Sequence, residues 1–349
     1  MNAFSNDPTR GGKELAWHNV VTRYQNPDLV RSIGQLCSSV IPYLLLWTLM
    51  VLSLRFSYWL TLVLAIPAGG FMIRIFIIFH DCGHGSFFKS NKANTIVGTI
   101  TGFLTFTPFA QWTRAHAIHH ATAADLDRRG TGDVKVLTVK EYLDLPLRKR
   151  MVYRAMRNPL IMLGLGPSLV FLVGNRFASP GVGQRERESV ILTNLVLAVA
   201  VIVLSLTIGF KALVLVQMPI VIVGTTVGVW LFYVQHQFEG VYWARHKEWD
   251  FRSAALKGSS YYKLPRVLQW FTGNIGFHHI HHLGPRIPNY NLQRCYQENP
   301  MFRQGRPMTI LMSLKSLKYR LWDEEHNQLV GFGYLKQLRM GEGLVDDCV

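Results

Sequence analysis

Ten of the thirteen histidines in this chain fall in four short stretches. "HDCGH" carries His80 and His84, "HAIHH" carries His116, His119 and His120, "YVQHQFE" carries His236, and "GFHHIHHLG" carries His278, His279, His281 and His282. Residues three or four apart share one face of a helix, which lets a helix offer several imidazoles to one metal. His279 is out of phase with that spacing and points elsewhere. A single histidine is ordinarily a hydrogen-bonded side chain. One HxxxH and two HxxHH patterns in one chain point instead to a joint metal site. Nine imidazoles are too many for a structural zinc, with four ligands, or a catalytic zinc, with three plus water. Two metals with four or five nitrogen ligands each fit the count. Among metals that accept imidazole, iron suits oxygen chemistry in pairs, ahead of copper. Each ligating histidine also needs a partner for its other ring nitrogen. Asp81, Asp125, Asp127, Asp133 and Glu239 lie close enough in sequence to be expected in that role. Asn274, one turn before His278, is placed to reach a metal through water.

The elements that must position these histidines are apolar. The chain has 349 residues, 49% of them hydrophobic, and the apolar residues come in long runs. Four runs, 40–54, 59–79, 190–208 and 213–234, approach the ~20 residues that cross a bilayer. "RFSY" and "GFK" join them in pairs, leaving room only for tight turns, so the runs read as two transmembrane hairpins. Each histidine group follows a span or lies in a polar segment beyond one. Ten Lys and Arg lie in 111–158 and fifteen after Val234, against one in each hairpin turn. By the positive-inside rule both large polar segments and both termini face the cytoplasm. The expected architecture is an all-α integral membrane fold. A cytoplasmic N-terminal segment (1–37) precedes one domain (38–349), whose cap (80–189 and 235–349) holds a two-metal site.

Two further apolar stretches, 95–109 and 160–173, are broken by Gly or Pro. If one of them alone crossed the membrane, the histidine groups would be divided between its two sides. Both are therefore assigned to the interface or to re-entrant segments. The segment 139–157, rich in Lys and Arg with interspersed Leu, Met and Tyr, is expected as a helix lying on the bilayer surface. Gly69 and Gly70 read as packing sites within a span, and Arg74 as an interfacial anchor. No cleavable signal peptide precedes the first run, because the first 37 residues are polar and contain Asp7, Glu14 and Asp28. The net charge of +16 follows from the topological bias and does not call for nucleic acid. Cys37, Cys82, Cys295 and Cys348 show no paired spacing and read as reduced bystanders. His18, His246 and His326 are isolated and read as surface side chains, and the last 22 residues carry no chemical signal.

HxxxH, HxxHH and a late HxxHH around two hairpins resemble the integral-membrane fatty acid desaturases, over about residues 74–291. "RIFIIFHDCGHGSFF", "RAHAIHHATAADLDRRGTGD", "FYVQHQFE" and "TGNIGFHHIHHLGPRIPNY" are most similar to bacterial acyl-lipid desaturases of the delta-12 or omega-6 kind. The resemblance implies two irons held by His80, His84, His116, His119, His120, His236, His278, His281 and His282. It implies O2 as co-substrate and a cis double bond inserted into a long acyl chain on a lipid or another carrier. It also implies a bacterial inner membrane location with the active site on the cytoplasmic side. The chain has no HPGG haem motif, no iron-sulfur cysteine spacing and no GxGxxG. The electrons must then come from a separate donor, ferredoxin-like or cytochrome b5-like, and the basic face suits an acidic ferredoxin-like partner.

A hydroxylase, acetylenase or ketolase on the same scaffold is the nearest rival. Alkane hydroxylases of this superfamily carry an NYxEHYG-like element, whereas Asn289 and Tyr290 are followed here by "NLQRC". A haem cytochrome would place paired histidines within facing spans, and a metal transporter would need ionisable residues along one. Neither pattern is present.

Overall fold

The computed structural model describes residues 17–303 and 307–341. Four helices are long and apolar enough to cross a membrane: α1 (Leu29–Ser53), α2 (Tyr58–Gly83), and the later pair Gln184–Ile208 and Phe210–His236. At 1.5 Å per residue each is about 40 Å long, against a hydrocarbon core of about 30 Å. The excess length carries their ends into the cap, where α2 has His80 in its last turn and Phe210–His236 ends on His236. Helix α1 starts at Leu29, well before the apolar run. Asp28 caps it by accepting from Arg31 N, and Ser32, Gln35 and Ser39 form a buried polar stripe along its first turns.

After α2, helix α3 (Asn91–Leu104) reverses through Phe106, at φ 57°, into α4 (Phe109–Thr122). Fourteen residues are too few to span a bilayer, and the chain turns back after them. The expected single surface helix over 139–157 is instead two. They are α5 (Val139–Leu143), opened by a Thr138/Glu141 capping box, and α6 (Leu147–Met156). Pro146 separates them, since proline restricts the residue before it and cannot donate to a continuing helix. A π-helical turn, Leu160–Leu165, leads into α7 (Gly166–Leu172). This segment bends by 57° from α6, and only if the bent pair is one span would it count as a fifth.

The second hairpin comprises α8 (Gln184–Ile208) and α9 (Phe210–His236), joined by Gly209 alone. At φ 89° that residue takes a conformation that L side chains rarely adopt. Helix α2 is the centre of the bundle, with 56% of its apolar window buried against 6% for α8, whose surface is therefore lipid-facing. A Cβ on Gly69 would stand 2.5 Å from Val223 Cγ1 and 3.2 Å from Gly224 N, so the glycine permits close packing of α2 on α9.

The cap adds α10 (Phe251–Lys257), α11 (Arg266–Phe271), α12 (His278–Leu283), α13 (Asn289–Glu298) and α14 (Ile310–Ser313). Among the described residues it departs from the all-α expectation in a small sheet of β1 (Leu137–Thr138), β2 (Leu321–Asp323) and β3 (Gln328–Val330). β1 and β2 run parallel, β2 and β3 antiparallel. Arg74 is buried rather than snorkelling. Its guanidinium lies 3.9 Å from the Trp270 ring and donates to Trp270 O, tying α2 to α11.

Candidate metal centre

Four elements deliver the nine in-phase histidines to one place. His80 sits in the last turn of α2 and His84 caps it, α4 carries three, α9 ends on His236, and all six residues of α12 are buried. Two backbone bonds join the segment after α4 to the segment after α9: Leu126 N donates to Ala244 O at 2.9 Å and Ala244 N to Ala124 O at 3.0 Å. The indole of Trp249 donates to Ala123 O at 2.9 Å and adds a third tie. Trp112 stacks on His116 at 4.3 Å between centroids and braces the α4 histidines.

The nine form two groups, one of His80, His84, His116, His120 and His281, the other of His119, His236, His278 and His282. Within each group the ligand atoms lie within 4.8 Å of one another. Each HxxHH is thus split, with one group taking His116 and His120 and leaving His119 to the other. His281 likewise parts from His278 and His282. The groups abut where the rings of His120 and His282 stack at 4.2 Å.

The inner nitrogens face each other closely. In the first group Nε2 of His120 lies 3.1 Å from that of His116 and 3.1 Å from that of His281. In the second, Nε2 of His236 lies 3.2 Å from that of His119 and 2.9 Å from that of His278, which is 3.1 Å from that of His282. Adjacent nitrogens on one metal with bonds of about 2.1 Å stand about 3 Å apart. His236 Nδ1 donates to Gly258 O at 3.1 Å, which leaves its Nε2 a bare lone pair. His80 Nδ1 bonds Asp81 Oδ1 at 3.1 Å and leaves the same lone pair. A cation between such nitrogens satisfies lone pairs that would otherwise repel. Burial first, and neighbouring imidazoles second, hold His84, His116, His119, His120, His278, His281 and His282 well below the ordinary histidine pKa. They are neutral, the form that ligates metal. Among the described residues neither group contains a thiol, so the donor set suits iron over structural zinc.

Of the expected supporting residues, Asp81 alone bonds a clustered histidine, and Asn289 in turn bonds it. Asp133 lines a cavity of about 10 Å³ with His119 and His236, its carboxylate accepting from Gly130 N at 3.1 Å. Asp125 is held by His246 at 2.8 Å, Asp127 by Arg245 at 2.7 Å, and Glu239 by Lys315 at 3.0 Å. Those three carboxylates brace surface loops instead. Asn274 has φ 60° and spends its amide on Gln269 Nε2 and Asn289 O. His246 and His326, expected as isolated, each bond an aspartate, and His279 bonds Phe302 O at 3.0 Å. Sequence reasoning missed Asn289, the Gly258 carbonyl and Gln35, whose Nε2 donates to Asn289 Oδ1 at 3.1 Å. The signal for Gln35 was the polar stripe Ser32, Gln35, Ser39 at helical spacing beside an apolar run.

The chain is similar to known proteins over most of its length. Residues 57–310 match the family model described as fatty acid desaturase. The chain is 47% identical over 318 residues to a fatty acid desaturase of Bacillus subtilis (strain 168), covering 91% of this chain and 90% of that one. It is 28% identical over 277 residues to an sn-1 oleoyl-lipid 12-desaturase of Synechocystis sp., covering 75% and 76%. Over 265 residues it is 30% identical to an endoplasmic reticulum omega-3 fatty acid desaturase of Vigna radiata var. radiata, covering 69% and 65%.

Proposed function

Because the chain belongs to the fatty acid desaturase family and is an oxidoreductase of the membrane, we propose that its nine clustered histidines hold two iron ions and that it inserts a cis double bond into a lipid-linked acyl chain. The observation that carries the reading is the division of the nine into groups of five and four with facing Nε2 atoms. The reaction consumes O2, two electrons and two protons and converts a CH2–CH2 pair to CH=CH with two waters. The irons supply the oxidising power that no side chain has.

The protein's part is positional. His80 is oriented through Asp81, and His236 through the Gly258 carbonyl. Burial of the imidazoles excludes bulk water from the site and keeps the rings neutral. The spans solvate the acyl chain, and rigid helix ends fix which carbon pair stands beside the irons, where a displacement of about 1 Å changes the product.

The finer reading is desaturation at the delta-12 (omega-6) position. It draws on the 28% likeness to oleoyl-lipid 12-desaturases. The basic segments favour a cytoplasmic site supplied by a separate acidic, ferredoxin-like donor. Fatty acid methyl ester analysis of cells expressing the intact chain or His281→Ala tests the proposal. A new double bond made by the intact chain alone supports it and fixes the position. Hydroxylated chains in its place would move the assignment to a hydroxylase on the same scaffold.

A further inference from the structure

Among the described residues two rings other than histidines touch the clustered imidazoles, and they differ in chemistry. Trp112 stacks on His116 with centroids 4.3 Å apart and planes at 20°, and it meets His80 edge-on at 5.7 Å. Both histidines belong to the five-histidine group. Phe232 takes the matching place beside the four-histidine group, 5.1 Å from His119 and 5.3 Å from His236. An indole gives up electrons far more readily than a phenyl ring. The five-histidine group therefore has an electron source in ring contact with one of its ligands, and Phe232 offers the other group none.

The chain makes room for this contact. A Cβ on Gly83, at the end of α2, would stand 3.1 Å from Trp112 Cζ3, so the glycine lets the indole approach the helix that carries His80. Trp112 is half-buried, which leaves part of the ring open to its surroundings. Other oxidisable groups lie less directly. Cys82 stands between His80 and His84 in sequence, but two residues of helix turn it about 200° away, and it packs with Ile78, Phe87 and Phe109. Tyr233 and Trp243 line the small cavity beside His119 and His236 without ring contact to either.

Resting on the di-iron reading, we infer that Trp112 is a site of self-oxidation, the group that the centre oxidises through His116 when no acyl chain stands beside the irons. Desaturation takes two electrons and two protons from a CH2–CH2 pair. Without that pair the indole supplies them. Water adds to a ring carbon, a C–O bond replaces its C–H bond, and two protons leave. The two electrons cross the stacked rings and join two from the donor in reducing O2 to water. In sum, the indole, O2, two donor electrons and two protons give an oxygenated indole and one water.

Peptide mass spectrometry of the iron-loaded protein in detergent tests this, after repeated cycles of chemical reduction and exposure to O2 without acyl lipid. Iron content is measured first. One oxygen atom gained on Trp112, and absent from metal-free protein treated alike, is the expected result and needs no variant. Trp112→Phe keeps a stacked ring but removes the electron source. From the parent iron content and melting temperature, it should take up oxygen on His116 or His80 instead and lose iron faster with each cycle. A role in packing alone would leave it as durable as the parent. Trp243→Phe should leave the gain on Trp112 unchanged. An unmodified Trp112, an equal gain without iron, or oxygen on Cys82, Tyr233 or Trp243 in its place overturns the inference. No acyl chain enters the measurement, so a negative lipid analysis, which would sink the desaturase reading, leaves this result separately readable.

Discussion

Asn289 donates twice to one oxygen of Asp81, from its backbone N at 2.7 Å and from Nδ2 at 2.8 Å, while the other oxygen of Asp81 faces His80 Nδ1 at 3.1 Å. Residues 208 positions apart thereby fix one ring of the centre, and Gln35 on the first span extends the chain to Asn289. All four side chains are buried, so each bond acts in a low dielectric.

Asn289→Leu removes the Nδ2 donor and leaves buried Asp81 Oδ2 with the backbone N–H of residue 289 as its remaining partner from that residue. Loss of such an outer partner ordinarily costs 10- to 100-fold in metal affinity, so about that loss is expected here. Competition with a chelator, followed by metal analysis, reads it directly. Gln35→Leu removes one more distant bond and should cost about 1 kcal/mol of stability with little change in iron affinity. Equal iron loss in both variants would mean that the bundle as a whole, and not this relay, sets the affinity.

The division of the histidines into two groups predicts separable losses. His84→Ala should empty the five-histidine group and His278→Ala the four-histidine group, each lowering bound iron from roughly two per chain toward one. Metal analysis with protein quantitation checks the ratio. Loss of all iron in both variants would show that the stacked rings of His120 and His282 couple the groups into one cooperative site.

The histidine boxes and the hairpins were legible in the sequence because spacing along a helix and length against a bilayer are local properties. Which histidine joins which group was not, because His281 meets His120 across 161 residues. Asp125, Asp127 and Glu239 were misplaced for the same reason. They are near the boxes in sequence, but His246, Arg245 and Lys315, which hold them, arrive from elsewhere in the fold. The small sheet escaped notice because its strands are only two or three residues long, too short for a period-two pattern to show, and β1 meets its partner β2 nearly 200 residues away, although β2 and β3 pair locally. Gln35 and Ser39 lay on a span whose apolar run masked its first turns.

Gly69→Val should be severe for a residue that touches no histidine. The added atoms would meet Val223 and the backbone of Gly224, forcing apart the two helices that carry His80 and His236. Overpacking of this kind costs about 1–3 kcal/mol. The melting temperature in detergent should fall and iron binding weaken together. Gly34→Ala, where nothing lies within 4 Å of the added Cβ, is the control and should change neither.

The metal-free protein should lose stability as pH falls below the ordinary histidine range. His116, His119, His120, His278, His281 and His282 have folded pKa values lowered by burial and then by one another. An unfolded chain titrates them near about 6.5 and so binds more protons than the folded chain below that pH. Their contribution is complete above about pH 6.5 and declines as pH falls toward the lowered folded values, by up to about 1.4 kcal/mol per unit for each ring. Thermal melts should therefore be flat from about pH 7 to 8 and drop steeply between about pH 6.5 and 5. Iron opposes the drop because it binds only the deprotonated rings, so the loaded protein should hold its melting temperature to lower pH. Identical pH profiles with and without iron would mean that the metal does not sit among these imidazoles.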